Sequence, residues 1–350
     1  MAETQAPTVG SSAAGSAAGS AAPDHHGPRP RRRPELKSIG EFGALVALIL
    51  VFTAINPETF LSLRNFRTIL DQASVPLIIG VGATFVILMG SIDLSVEGVM
   101  GAAGMTFVLL AADDRNAINL GAGAYVIAIL VGMGLGLASG LIHTRLKVPT
   151  FIVTLGVWYV GLGIATLLLG DQAIPYLSDP NVSAWPSELI LGLPNSFWLA
   201  AVVVTLGVLV GRFTRLGRFA YAIGNNETIA RDNGVPIATY KVFVFVVAGA
   251  CSALAGILGS LQLGAGATSV GSGFLFLTIA AVVIGGTSLA GGKGGVLRTT
   301  LGVFLLTVLN NGLVLSGVSP QIQSAVSGGV LVLAIVAAGW AYRGRLRVAK

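Results

Sequence analysis

The feature that most limits what this chain can become is a succession of ten apolar stretches, most of them near 20 residues, between residues 40 and 341. A helix of about 20 apolar residues is what the roughly 30 Å hydrocarbon layer of a bilayer requires. The stretches lie at 40–56, 74–90, 95–112, 119–142, 149–170, 195–211, 240–262, 274–290, 296–316 and 321–341. They are continuously apolar and do not alternate with period two, which argues against a strand-built barrel. Only 10% of the 350 residues are charged. Soluble domains carry about a quarter, so this chain cannot clothe a water-facing surface. The expected fold is all-α, a polytopic membrane protein with about ten transmembrane helices.

The few charges predict an orientation. If the N-terminus is cytoplasmic, every basic residue except Arg64, Arg67 and Arg115 of the 21 falls in an inner loop or a terminus. Lysine and arginine favour cytoplasmic loops, so both termini are expected in the cytoplasm. The net charge of +6 is spread over every inner loop and forms no single patch, which weakens a nucleic-acid reading. Three regions are expected. Residues 1–37, rich in Ala, Gly, Ser and Pro and then basic, read as a disordered cytoplasmic tail in which His25 and His26 are plain exposed residues. Residues 38–342 form the transmembrane domain, with a long inner loop at 212–239, and 343–350 form a basic cytoplasmic tail. The lone Cys251 lies inside an apolar run and reads as packing. No internal repeat is visible.

Catalytic signals are thin. His25, His26 and His143 have no zinc-type spacing, and neither G-x-S-x-G nor H-E-x-x-H occurs. Gly291-Gly292-Lys293-Gly294 lacks the early Gly, the following Ser/Thr and the preceding strand of a phosphate loop. The chain is therefore read as a non-enzyme without its own ATPase site, metal or cofactor.

Four segments carry the polarity. In the first, Gly90 to Gly98, Ser91, Asp93, Ser95 and Glu97 interrupt nearly 40 apolar residues. An ionised group in a bilayer is costly and usually faces a polar pathway. The alternative is a helix cap, with Asp93 or Ser95 capping the next span at the inner boundary. The second is the inner loop Thr214–Thr239, amphipathic and long enough for two short helices along the membrane surface. Gly224 and Gly234 bracket about ten helix-compatible residues that begin with Asn225-Asn226-Glu227 as a cap. A loop needed only as a connection could be shorter, so docking on a partner is one reading and a solvated loop the other. The third, Ile279 to Gly295, is dense in small residues that allow close helix packing or an irregular turn around Thr287. The fourth, Leu309-Asn310-Asn311-Gly312, places two amides in a span, for interhelical bonding or for a polar wall facing a hydroxylated solute. The Gly- and Ser-rich stretch 262–274 admits a broken or re-entrant helix.

Taken in order, residues 74–98 (ending Ile92-Asp93-Leu94-Ser95-Val96), Val148-Pro149-Thr150-Phe151-Ile152-Val153-Thr154-Leu155-Gly156, Leu216-Gly217-Arg218 through Gly234, Ala280 to Gly292, and Leu309 to Leu313 resemble the permease subunits of bacterial monosaccharide ABC importers of the ribose/xylose/galactose type. The resemblance covers roughly residues 40–340, and branched-chain amino-acid permeases share the general plan but look less similar around Asp93. It implies a multi-pass importer permease of a bacterial plasma (inner) membrane, passing a monosaccharide or similar polyol and paired with a second permease copy. It also implies two cytoplasmic ATPase subunits and an extracytoplasmic sugar-binding protein as partners. Gly224, Asn225, Glu227, Ala230, Arg231 and Gly234 match the family's coupling loop and would sit in a groove of the ATPase. Ser91, Asp93, Ser95, Thr287, Asn310 and Asn311 are the candidates for the translocation pathway. The chain departs from the family at Gly273 to Thr278, where an acidic stretch is usual, at Leu263 to Thr268, and at Glu97, where a Gly is common. A permease for a nucleoside or amino acid is the alternative within the class. An ion-coupled secondary transporter would show midplane carboxylates and inverted repeats.

Overall fold

Residues 36–340 are described by a computed structural model, and they form helices almost throughout. The expected tails, up to residue 35 and from 343 onward, lie outside the described residues. The first half runs α1 (Leu36–Ile55), α2 (Pro57–Phe60), α3 (Leu63–Leu88), α4 (Val96–Leu110), α5 (Ala122–Leu146), α6 (Thr150–Leu169) and α7 (Pro180–Ala184). A two-stranded hairpin of β1 (Leu189–Ile190) and β2 (Leu193–Pro194) follows, then α8 (Asn195–Phe213), α9 (Arg215–Asn225) and α10 (Glu227–Asp232). The second half contains α11 (Ile237–Leu263), α12 (Phe274–Ile284), α13 (Val296–Leu315) and α14 (Pro320–Trp340).

Among the described residues, α3, α5, α6, α8, α11 and α13 are long and apolar enough to cross a membrane. Their burial separates core from periphery. The most apolar window of α3 is 89% buried, whereas that of α8, more apolar still, is 17% buried. Val202, Leu206 and Leu209 of α8 and Phe151, Ile152 and Tyr159 of α6 therefore face outward. A chain folding in water would not leave such faces uncovered; lipid tails cover them at no cost.

Two helix limits differ from the hydropathy reading. Helix α3 starts at Leu63 and not near 74, because Ser62 caps it by accepting from the Asn65 amide (3.1 Å) while Arg64, Asn65, Arg67 and Asp71 dilute the apolar signal of its first turns. Helix α12 stops at Ile284 and not near 290, where Gly285 closes it and Gly286 turns the chain at φ +78°. At 15 and 11 residues, α4 and α12 are too short to cross the hydrocarbon layer alone.

The packing contains a repeat that the residue pattern hides. Helix α4 packs on α5, α6 and α11, and α12 packs on α13, α14 and α3 in the same relation. Helix α5 lies against α11 as α13 lies against α3, and α3 packs on α11. The last pair is antiparallel, since Gln262 near the end of α11 bonds Asp71 near the start of α3 while Gly82 meets Ala248. The unit α11–α14 is thus an inverted copy of α3–α6. The expectation of no internal repeat is corrected: sequence likeness between the halves is gone, but the contact scheme is kept. The pair α5 and α11 packs through glycine. A Cβ at Gly132, Gly136 or Gly140 would strike the Gly249 carbonyl, the Phe245 carbonyl or the Val242 backbone. Small residues at a spacing of four bring the two backbones together.

Candidate coupling site

Arg215 and Arg218 of α9 face out, while Leu216, Ala220 and Ile223 are buried, so the helix lies on the bundle by one apolar face. Thr214 caps its start by accepting from the Gly217 amide (3.4 Å), and Phe219 packs edge-on against Tyr240 of α11. Asn226 caps α10 by accepting from the Ile229 amide (3.0 Å), as the Asn-Asn-Glu sequence predicts. The two expected surface helices are therefore present. Ala230 is 5% exposed and holds α10 down, which leaves Thr228, Ile229, Arg231 and Asp232 facing outward.

Glu227 fastens α10. Its carboxylate accepts from Lys241 of α11 (2.8 Å) and from Arg231 one turn on (2.9 Å). The hydrogen bond from Lys241 is the main cause that holds the Glu227 carboxyl below its ordinary 4.5, with the charges of Lys241 and Arg231 adding to it and burial opposing. The Arg231 pair is an exposed i,i+4 contact of small worth. The Lys241 nitrogen is largely covered and ties α10 to a long helix.

Helix α9 also grips the glycine-rich turn 285–295. The Tyr221 hydroxyl donates to the Gly294 carbonyl (2.9 Å), and Asn225 Nδ2 donates to the Tyr221 and Gly292 carbonyls (3.0 and 3.4 Å). The Gly292 amide in turn donates to the Leu88 carbonyl at the end of α3 (2.9 Å). Gly224 sits where these three backbones meet. A Cβ there would fall on the Leu88 oxygen and the Gly292 nitrogen, so this position is glycine for lack of space.

Beyond Leu88 lies the break 89–95. Asp93 is 8% exposed, and its Oδ1 accepts from the Ser95 amide (2.8 Å) and hydroxyl (2.6 Å). Ser95 is at the cap position of α4 but makes no side-chain capping bond there. Asp93 thus closes the turn before α4 and does not cap the helix itself. The Ile92 and Leu94 amides donate to Thr150 (3.2 Å) and Thr154 (3.0 Å) at the start of α6. Ser91 is buried in the same break. Thr287 closes the turn 287–295 by accepting from the Gly295 amide (3.2 Å), and Ala290 and Gly291 of this turn abut Gly90. These four pathway candidates gather at one end. Asn310 and Asn311 lie at the far end of α13 and serve interhelical bonds, Asn311 donating to Asn65 (2.9 Å) and Asn310 accepting from Ser327 (2.9 Å).

Glu97, one of the two carboxylates of the first polar segment and a departure from the family pattern, joins the two halves. It is 9% exposed in the first turn of α4, and its Oε1 accepts from the Gly273 (3.0 Å) and Leu275 (3.3 Å) amides at the start of α12. A carboxylate at a helix N-terminus satisfies free N–H groups and complements the dipole. Only the partner's distance along the chain concealed it. The break 264–273 before α12 corresponds, under the inverted repeat, to the break 89–95 before α4.

Paired half-helices meeting at a buried carboxylate, inside a bundle whose apolar faces point outward, define a multi-pass membrane protein of the transport type. The chain belongs to the family described as "Branched-chain amino acid transport system / permease component", which matches residues 65–335. It is 36% identical over 299 residues to the ribose import permease protein RbsC of Haemophilus influenzae, covering 85% of this chain and 91% of that one. It is 32% identical to the D-allose transport system permease protein AlsC of Escherichia coli (85% and 90% covered) and 32% identical to the autoinducer 2 import system permease protein LsrC of Yersinia enterocolitica (87% and 83% covered). No solved structure matches it significantly.

Proposed function

We propose that this chain is the permease subunit of a sugar-type ABC importer, passing a monosaccharide or similar polyol across the plasma membrane while a separate ATPase subunit hydrolyses ATP. The observation that carries this reading is the near full-length likeness to import permeases named for ribose and D-allose. The α9–α10 unit supports the ATPase partnership: it presents Ile229 and Arg231 outward, and its other face is bonded to the irregular segment 285–295, whose Gly292 in turn bonds Leu88 just ahead of the break 89–95. The basic residues support a topology of ten spans with both termini cytoplasmic, for Arg145, Lys147, Arg212, Arg215, Arg218, Arg231, Lys241, Lys293 and Arg298 cluster at the end carrying α9 and α10. A second permease copy and an extracytoplasmic sugar-binding protein complete the assembly. Ser91, Asp93, Ser95 and Thr287 would lie along the inner part of the pathway, and Asn225, Glu227 and Arg231 along the ATPase groove.

The test is uptake of radiolabelled D-ribose and D-allose by cells carrying the permease with its ATPase and binding protein. Uptake should vanish with a Walker-defective ATPase and survive an uncoupler. Uptake that survives the defective ATPase and collapses with the uncoupler would overturn the reading.

A further inference from the structure

Resting on the reading of α10 as the ATPase-coupling helix, we propose that His143 is a positioning residue that transmits the displacement of α10 to the break 89–95. Its imidazole lies between the Lys241 ammonium (Nε2 to Nζ 3.5 Å) and the Val148 carbonyl (Nδ1 to O 2.8 Å). An ammonium only donates and a carbonyl only accepts, so one tautomer fits both neighbours: Nδ1 carries the hydrogen and Nε2 accepts. The edge of Phe245 on α11 holds the ring in place.

The contacts on either side of the ring make a continuous route. On one side, the Lys241 ammonium is shared with Glu227, the residue that fastens α10. On the other, the ring fixes the joint between α5 and α6. Lys147 there has φ 55° and ψ 28°, a left-handed conformation that costs a non-glycine residue about 1 kcal/mol or more. Such a conformation persists only where neighbours hold it, and the His143 bond to Val148 spans it. Pro149 then leads into α6, whose Thr150 and Thr154 accept from the Ile92 and Leu94 amides of the break. The route therefore runs from α10 through Lys241, His143, Val148 and the first turns of α6 to the segment that carries Asp93.

Asn and Gln separate the two halves of this role. His143→Asn keeps a donor near Nδ1 for Val148 and loses the contact with Lys241; His143→Gln keeps an acceptor for Lys241 and loses the donor. A residue that merely clamps the joint would tolerate Asn. A transmitting residue tolerates neither.

The readout is independent of the transported solute. In the transporter assembled with its ABC ATPase, Ile92→Cys supplies a thiol at a partly exposed position, while the native Cys251 is buried. Its reaction rate with a membrane-impermeant maleimide is measured without nucleotide and after trapping with ATP and vanadate. The expected result is a change of about threefold or more between the two states in the parent, lost in both His143→Asn and His143→Gln while ATP hydrolysis continues. An intact response in either variant, or no response in the parent, overturns the relay. Glu227→Ala distinguishes the levels. Loss of its response beside intact His143 variants leaves the coupling role of α10 standing, whereas an intact response in Glu227→Ala overturns that role itself.

Discussion

Adding one methyl group at Gly224 tests whether α9 is latched to the broken segments. In Gly224→Ala the new Cβ would fall on the Leu88 oxygen and the Gly292 nitrogen. Both are backbone atoms that no rotamer change can remove, so one chain must withdraw and the bond from Gly292 to Leu88 (2.9 Å) opens. Overpacking of this kind costs about 1–3 kcal/mol, and the lost hydrogen bond about 1 kcal/mol. Alanine returns about 1 kcal/mol through its higher helix propensity. The net cost is about 1–3 kcal/mol, which raises the detached population of α9 about 5- to 150-fold. Tryptic cleavage at Arg215 and Arg218 in open membrane fragments reads that population, because cleavage tracks the transiently opened form. Solute uptake per ATP hydrolysed should fall in parallel, with the permease still present in the membrane. Gly134→Ala is the control: a Cβ there meets nothing within 4 Å, and cleavage and uptake should match the parent. Gly224→Ala with unchanged cleavage and unchanged uptake would refute the latch.

Three further outcomes are expected. Glu97→Ala leaves the Gly273 and Leu275 amides without their acceptor, at a cost of about 1–3 kcal/mol, whereas Glu97→Gln keeps one acceptor oxygen; thermal unfolding of the purified permease should show a lower Tm for Ala than for Gln. Gly136→Val puts a branched side chain against the Phe245 carbonyl and should sharply reduce the folded protein recovered from membranes, which size-exclusion of the solubilised protein will show. Folding lowers the pKa of Glu227, so its contribution is complete above the ordinary 4.5 and is lost as the pH falls through the lower folded value. Hydrogen exchange in α10, corrected for intrinsic rates, should therefore stay flat from neutral pH down to about pH 5 and rise only in stronger acid.

What could be read in advance divides along contact distance. The apolar spans, the helix pair at 215–232 and the Asn226 cap depend on residues a few positions apart, and each is visible in the sequence. The start of α3 was hidden because hydropathy averages over Arg64, Asn65, Arg67 and Asp71, while the helix needs only backbone bonds and a Ser62 cap. The alternatives left open at Asn311 required a partner from another helix, and Asn65 supplies it. Glu97 stands out in the sequence as a carboxylate among apolar residues, but the amides it satisfies belong to α12 and cannot be read from its neighbours. The inverted repeat is a property of packing alone. Many residue choices satisfy one contact scheme, so the scheme outlives the likeness, and its invisibility says nothing against it.

The glycine contact between α5 and α11 carries a mechanical consequence. It joins a helix of the first half to a helix of the second with the backbones in close approach at Gly132, Gly136 and Gly140. Sliding of packed helices needs room for the interface to repack, and the close approach at Gly132, Gly136 and Gly140 leaves little. A change of shape is therefore expected to keep this seam together and to fall on the non-helical segments at 89–95, 264–273 and 285–295. One tight seam and few non-helical segments leave few ways to move, so a push at one surface is expected to arrive as a defined displacement at the other.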